Sequence, residues 1–395
     1  MESQISPKVR YIGVNDRTTH RFEALWPIPA GVSYNSYLVT GEDKTAIIDG
    51  VEVGHTPAQI EALRRQLGDR HPDYLVINHM EPDHSGSIAL LRSFFPGLTI
   101  VGNATTLSMV KGFYGIGGGN TLTVKDGDTL SLGECTTLKF ILAPMVHWPE
   151  TMVTLLTEDG VLFSGDALGC FGALNGAVVD ADMNVEPYFP EMVRYYSNIV
   201  GKYGTFVQKA LARLGGAGFN TVCPTHGPVW RESLPRVLET YDALSRYRPL
   251  DNGATIVYGS MYGNTARMAE AAAEGLAAAG VRDIAVHDAS VSHVSYIIAD
   301  IFRHRHLVLA APTYSDSIFP PMAAVIDAMA VRGIKNRRVA LMGSHTWAPK
   351  GLKLMSAKLA DAGFDIVDTP LSVKQAPDAD DLAACLTLGR VLASS

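Results

Sequence analysis

Between Asn78 and Ser87 the chain reads Asn-His-Met-Glu-Pro-Asp-His-Ser-Gly-Ser, which crowds four metal-binding side chains, His79, Glu81, Asp83 and His84, into six positions. The run follows directly on an apolar, strand-like segment, Asp73 to Ile77. A strand that ends there releases its last residues into a loop at a sheet edge, where successive side chains can converge on one point instead of alternating across the sheet. Further candidates stand at the ends of other strand-like segments: His147 after Leu138 to Val146, Asp166 after Val161 to Gly165, and His226 after Thr221 to Thr225. The hairpin expected over Met152 to Ser164 turns on Glu158-Asp159-Gly160 and returns Asp166 to the same edge. A fold that serves all of these residues must bring several strand ends together.

The set is four His and three carboxylates, with His79 and Glu81 able to bind one ion and Asp83 and His84 a second beside it. With one carboxylate shared, such a set supports a dinuclear site that keeps a coordination position open. The pattern resembles the metallo-β-lactamase superfamily, whose hydrolases carry His-x-His-x-Asp-His followed by a distant His, Asp and His. Glu81 stands where those hydrolases have their second His, and the harder carboxylate suits iron or manganese better than zinc. Three carboxylates and a bridging hydroxide would cancel the charge of two ferrous ions. A zinc hydrolase site is the alternative reading of the same residues. Isolated histidines such as His20, His55 and His304 read as structural.

At 395 residues, with 47% hydrophobic and 18% charged residues, the chain can bury two cores of ordinary size. A net charge of -7 without any basic block argues against a nucleic-acid partner. Met1 to Arg10 lacks the apolar core of a signal peptide and no apolar run approaches membrane-spanning length, so a cytoplasmic protein without membrane contact is expected. The cysteines, Cys135, Cys170, Cys223 and Cys385, lie far apart with no Cys-x-x-Cys pair, which disfavours disulfides and an appended rubredoxin-like iron site. Cys170, close in sequence to Asp166, reads as a buried structural thiol.

The polar stretch Tyr247 to Gly253 marks a domain boundary, giving domains 1-250 and 251-395. Before it, short strands, including those around Asp126-Gly127 within Thr121 to Leu132, are interrupted by helices at Pro57 to Leu67 and Phe189 to Leu214. That mixture predicts an αββα sandwich. After it, strand and helix alternate: a strand at Ala254 to Tyr258, a helix at Ala266 to Ala279, then strands near Asp283 to Val286, Leu307 to Ala311, Arg338 to Met342 and Asp365 to Val367. The expectation is an α/β, doubly wound parallel sheet of five strands with ligands at its carboxyl ends.

Gly259-Ser260-Met261-Tyr262-Gly263-Asn264-Thr265, between the first strand and first helix of this second domain, resembles the flavodoxin phosphate loop. Hydroxyls of Ser260 and Thr265, the Asn264 amide and N–H groups at a helix start can surround a phosphate monoester. The loop is neither Gly-x-Gly-x-x-Gly nor a Lys-bearing P-loop, so FMN is preferred over NAD or ATP. Gly115 to Gly119 precedes a strand and lacks the dinucleotide context. Two later loops, Pro312-Thr313-Tyr314-Ser315-Asp316 and Gly343 to Gly351, are expected around the isoalloxazine ring, with Tyr314 and Trp347 packing on it, Thr313, Ser344 and backbone groups bonding its polar edge, and Pro312 and His345 among the cofactor-binding residues. Lys350 is expected close enough to stabilise an anionic reduced flavin.

A metallo-β-lactamase-like domain with an iron-type ligand set, joined to a flavodoxin-like domain, resembles the flavodiiron proteins, or A-type flavoproteins, over essentially the whole chain. The resemblance implies that His79, Glu81 and His147 bind one iron, that Asp83, His84 and His226 bind the other, and that Asp166 bridges them. It implies a reductase of O2 to water or NO to N2O, electrons entering at FMN from rubredoxin, a deazaflavin or a flavin reductase, and a head-to-tail homodimer or a dimer of dimers. Tyr195 and Tyr196 resemble a family tyrosine near the pocket. The loop Leu25 to Gly31 is expected to run toward the metals with Trp26 as its nearest aromatic. A pure electron carrier, with the first domain a degenerate scaffold, is the remaining alternative.

Overall fold

The computed structural model describes residues 3–367 and 370–394. It divides into two compact units, one of Met1–Tyr196 and Thr205–Asp242, the other of Ser197–Gly204 and Ala243–Ser395.

In the first unit a seven-stranded sheet runs, in spatial order, Ser3–Gln4, Val9–Tyr11, Tyr37–Thr40, Thr45–Ile48, Tyr74–Val76, Thr99–Gly102 and Thr121–Thr123. A five-stranded sheet runs in chain order through Thr129–Gly133, Thr136–Leu142, Met152–Leu156, Val161–Gly165 and Thr221–Pro224. The turn at Asp126-Gly127 therefore carries the chain from one sheet to the other. Successive strand residues point to opposite faces. Ile48, Val76 and Val101 meet Phe140, Met152 and Phe163 in a core between the sheets. Their neighbours Ile47, Leu75 and Ile100 pack on the other face with Ile60, Leu63 and Leu67 of the helix Thr56–Leu67. Both faces being covered, these strands read as continuous apolar runs. The architecture is a metallo-β-lactamase-like sandwich, as expected.

The hairpin at Glu158-Asp159-Gly160 forms as expected, pairing Leu156 with Val161, and Gly160 takes the left-handed φ of 63° that its turn needs. The single helix expected over Phe189 to Leu214 is broken instead. An α-helix ends at Tyr195, one π-turn spans Tyr196–Val200, a 3-10 turn spans Gly201–Tyr203, and a new α-helix covers Gly204–Leu214. Periodicity misses this because a π-turn keeps the residues helical while rotating the faces that follow it.

The second unit is a parallel sheet in the order Ile284–Asp288, Asp251–Tyr258, His304–Tyr314, Arg338–His345, Asp365–Ile366. This is the flavodoxin-like order 2-1-3-4-5. The last position is split, since Leu371–Lys374 also pairs in parallel with Arg338–His345. The helix Asn264–Ala278 presents Met268, Ala269, Ala272 and Leu276 to the core, where Ile256, Val308 and Met342 lie. Ser197–Gly204 is held in this unit by Arg332, whose Nε donates to the Ser197 carbonyl at 2.8 Å, and by Tyr247, whose hydroxyl donates to the Gly201 carbonyl at 2.9 Å.

Candidate metal centre and flavin pocket

All seven side chains singled out for metal binding meet at one place in the first unit. His79 and Glu81 lie in the loop after Tyr74–Val76, and Asp83 and His84 on the single turn Pro82–Ser85. Asp166 follows directly on the strand Val161–Gly165, and His226 comes two residues after its parallel neighbour Thr221–Pro224. His79, Glu81, His147 and Asp166 form one group of donor atoms within 4.8 Å of one another; Asp83, His84 and His226 form a second.

Asp166 spans the two groups. Its Oδ2 lies 3.1 Å from His147 Nε2 and 3.7 Å from His79 Nε2, while its Oδ1 lies 3.4 Å from His84 Nε2 and 3.5 Å from His226 Nε2. Glu81 Oε2 is 3.1 Å from His147 Nε2, and Asp83 Oδ2 is 3.1 Å from His226 Nε2. Two donors each about 2.1 Å from one ion sit roughly 3–4 Å apart, the spacing seen here. Nε2 of His79, His84 and His226 and both oxygens of Asp83 are buried without a hydrogen-bond partner among the described residues. Buried polar atoms left this way are costly unless a cation satisfies them. The residues present fit two metal ions.

Electrostatics point the same way. Burial opposes charge on both sides, but the imidazoles of His84, His147, His79 and His226 draw the Asp166 carboxyl well below its ordinary range. Against burial, which alone would lower them, hydrogen bonds to Asp166 and Glu81 hold His147 at about 9, and Asp83 holds His226 at about 9. Metal uptake therefore displaces protons from these rings.

Outer residues that the sequence reading missed orient the ligands. The buried Glu150 accepts from His79 Nδ1, and the Ser33 carbonyl accepts from His226 Nδ1 at 2.8 Å. Thr225 Oγ1 donates to Asp166 Oδ1 at 2.5 Å. Asp49 takes the Asn78 backbone N–H at 2.7 Å and its side-chain amide at 2.9 Å, pinning the base of the His79 loop. Gly227 has no alternative, since at its φ of +83° a Cβ would lie 2.3 Å from Cys170 Sγ. Cys170 is buried structure, its thiol pushed well up by burial.

Trp26 stands opposite Phe22 in the hairpin of Arg21–Phe22 and Trp26–Pro27. Its indole N–H turns to Glu23 Oε2 at 2.8 Å, and Phe22 from the adjoining hairpin strand packs edge-on to His226 at 5.3 Å. Side chains alternate along that strand, which sends Phe22 inward. The two tyrosines, adjacent on a helix, point to different neighbours. Tyr195 lies 5.8 Å from the His226 ring, its hydroxyl buried without a hydrogen-bond partner among the described residues, whereas the ring contact of Tyr196 is with Tyr241 at 5.0 Å. A cavity of about 710 Å³ opens over Glu81 and Asp83, bordered by Phe22, Glu23, Tyr34 and Tyr114.

In the second unit, Ser260, Met261, Tyr262, Asn264, Thr265, Pro312, Thr313, Ser344 and His345 line one cavity of about 110 Å³ at the carboxyl end of the sheet, together with Thr346 of the expected loop Gly343 to Gly351 and with Gln375, which the sequence reading missed. Gly263 caps the helix Asn264–Ala278 with no side-chain hydrogen bond, leaving the first-turn N–H groups to a ligand. Thr265 and Ser344 hydroxyls meet at 2.9 Å, and Thr313 Oγ1 accepts from Gly351 N–H at 3.0 Å. Tyr314 and Trp347 stand outside the lining, and Trp347 is 78% exposed. Lys350 reaches Asp316 at 2.9 Å, so its charge is engaged by that carboxylate.

Comparison with known proteins agrees with this arrangement. The ODP family beta lactamase profile matches residues 32–227 and the flavodoxin profile residues 256–389. The anaerobic nitric oxide reductase flavorubredoxin of Escherichia coli is 31% identical over 402 residues, spanning 100% of this chain and 82% of the relative. Among solved structures, rubredoxin:oxygen oxidoreductase of Desulfovibrio gigas matches with a TM-score of 0.93 at 27% identity, over 100% of this chain and 98% of the other. The flavodiiron protein of Giardia intestinalis matches with a TM-score of 0.94 at 25% identity, over 100% and 96%. Fold and site together define a two-unit oxidoreductase. The chain belongs to the flavodiiron protein family.

Proposed function

We propose that this protein is a terminal reductase that passes electrons from FMN to a di-iron centre and reduces NO to N2O, O2 to water, or both. The observation that carries the reading is Asp166, whose two oxygens face the two separate groups of imidazoles and carboxylates. His79, Glu81 and His147 would hold one iron, Asp83, His84 and His226 the other, and Asp166 would bridge them. FMN would lie on Ser260, Met261, Tyr262, Gly263, Asn264, Thr265, Pro312, Thr313, Ser344 and His345. Its phosphate fits at the start of the helix Asn264–Ala278, and the exposed faces of Tyr314 and Trp347 suit a flat ring. When bound, two ferrous ions and a two-electron flavin supply the four electrons that reduction of O2 needs, while two NO molecules need two.

The protein's own residues bind, orient and shelter. Phe22, Phe171 and Tyr195 pack into an apolar wall beside His226 and exclude water from that side. The Tyr195 hydroxyl, buried and without a partner among the described residues, is placed to donate a hydrogen bond to a small substrate. Tyr196, packed on Tyr241, has no such role. The donor is a separate redox partner, with rubredoxin, a deazaflavin and a flavin reductase as the classes to test. A head-to-tail dimer would bring the flavin of one copy to the metals of another. No described helix is long and apolar enough to cross a membrane.

The test is anaerobic stopped-flow of metal-analysed, photoreduced protein mixed separately with O2 and NO, following flavin absorbance. Two irons per chain with rapid flavin reoxidation is the expected result, and the faster gas identifies the preferred substrate. Zinc in place of iron with slow reoxidation by both gases would overturn it.

A further inference from the structure

We propose that the second unit carries an anion site at the amino end of its sheet, lined by Arg305, Lys335, Arg337 and Arg338, that takes a chain of phosphates such as that of a nucleoside diphosphate.

Three cations crowd into the four positions Lys335-Asn336-Arg337-Arg338, a run too short to stand out in a chain of net charge -7. The fold adds Arg305, because His304–Tyr314 and Arg338–His345 are neighbouring parallel strands with His306 opposite Arg338. The four side chains line one cavity of about 610 Å³, which Pro249 and Phe364 border as apolar groups. That volume suits a small organic molecule and exceeds what a lone phosphate fills.

The positive charge of this lining is not cancelled. Asp365 is its one carboxylate among the described residues, and although it stands opposite Arg338 in the strand register the two make no ion pair. No described carboxylate forms an ion pair with Lys335 or Arg337 either. Arg337 is buried, and its N–H groups go to the carbonyls of Ile301 at 2.6 Å, Tyr247 at 2.7 Å and Lys335 at 2.9 Å, which hold the guanidinium still and leave its charge in place. Arg338 Nε is buried with no hydrogen-bond acceptor among the described residues. A donor left that way is costly, and a phosphate oxygen would satisfy it. Burial, and then the charges of Arg305 and Arg338, hold the adjacent His306 imidazole down to about 4, as unbalanced positive charge would. A cleft lined by one sign of charge concentrates the opposite ion, and planar guanidinium groups match phosphate oxygens in pairs.

The cavity and the flavin pocket stand at opposite ends of the same strand, since Arg338 begins Arg338–His345 and Ser344 lies near its end, roughly 20 Å along the sheet. The two ligands therefore do not compete.

The experiment is calorimetric titration of full-length, FMN-loaded protein with pyrophosphate, ADP and adenosine, in wild type, Arg338→Gln and Asp365→Asn. Loading with FMN keeps the phosphates out of the helix start at Asn264. Pyrophosphate and ADP are expected to bind and adenosine is not, with the flavin absorbance unchanged. Arg338→Gln should weaken both phosphates by about tenfold or more, and Asp365→Asn should tighten them by about threefold, a gain that a damaged fold cannot produce. ADP bound more tightly than pyrophosphate would support a nucleotide, its organic part against Pro249 and Phe364, and equal affinities would support an inorganic phosphate chain. No heat with either phosphate, or affinities identical in all three proteins, would overturn the site.

Discussion

His79 and Glu150 form a buried pair in which Nδ1–H of the imidazole donates to Oε1 of the carboxylate at 2.7 Å, and the same oxygen takes the Met80 backbone N–H at 2.9 Å. The pair fixes the tautomer that leaves Nε2 of His79 facing the other donors, and a carboxylate behind the ring makes that nitrogen a better ligand. Glu150 is thus a support and not itself one of the converging donors. Glu150→Ala should weaken metal binding by roughly 10–100-fold. Calorimetric titration of the metal-free protein would show it, and an unchanged affinity would mean that the backbone alone orients His79.

Because Asp166 faces both groups and His226 only one, the two positions should fail differently. Asp166→Ala is expected to lose both metals on desalting, whereas His226→Ala should retain the ion on the His79 side. Metal analysis after gel filtration distinguishes them. Equal losses in the two variants would mean that the ions bind as an inseparable pair.

The helix start at Asn264 offers its N–H groups to a phosphate, so the second unit should bind FMN far more tightly than riboflavin. Thr265 is buried with its hydroxyl shared with Ser344, and Thr265→Val leaves that partner without its bond. A cost of about 1–3 kcal/mol is expected, or roughly a 5- to 150-fold loss of FMN affinity. Fluorescence quenching of the flavin measures it. Comparable affinity for riboflavin and FMN would remove the phosphate site.

His306 gives the second unit a sensitivity to acid. Burial, then the charges of Arg305 and Arg338, hold its imidazole down to about 4, while an unfolded histidine titrates near 6.5. Between those values the unfolded chain binds the extra proton, so this contribution to stability is fully present above about pH 6.5 and is lost as pH falls through 4. His306→Asn should narrow the difference between urea midpoints at pH 7 and pH 5. An identical difference in wild type and variant would show that other groups govern the acid limb.

Tyr195→Phe removes a buried hydroxyl that has no partner among the described residues, so it should leave the melting temperature unchanged or slightly raised. Turnover with the preferred gas should fall by about tenfold or more if that hydroxyl donates to substrate. Tyr196→Phe should leave turnover near wild type. Equal effects of the two variants on rate would show that the hydroxyl acts through packing alone.

Much of this was legible before any coordinates, for reasons that differ from residue to residue. The His79 to His84 run advertises its chemistry because the ligands sit in one short loop, and His147, Asp166 and His226 because each follows an apolar run. The order of parallel strands in the second unit followed from its alternation with helices and from the loop before Asn264. For Trp26 the sequence shows only that an aromatic stands in the loop; that its cross-strand partner Phe22 packs on His226 while its indole N–H turns to Glu23 is visible only in the structure.

What the amino-acid order determined by itself is local: which segments are strands, where they stop, and which donors stand at the stops. Periodicity and residue chemistry act over a few positions and survive in one dimension. The tertiary structure alone decided that the two oxygens of Asp166 face different groups and that Glu150 comes 71 residues along the chain to stand behind His79. It also decided that Tyr195 and not Tyr196 packs against His226. These relationships depend on the direction of single side chains across long loops. Packing of both sheets sets that direction, and no local pattern encodes it.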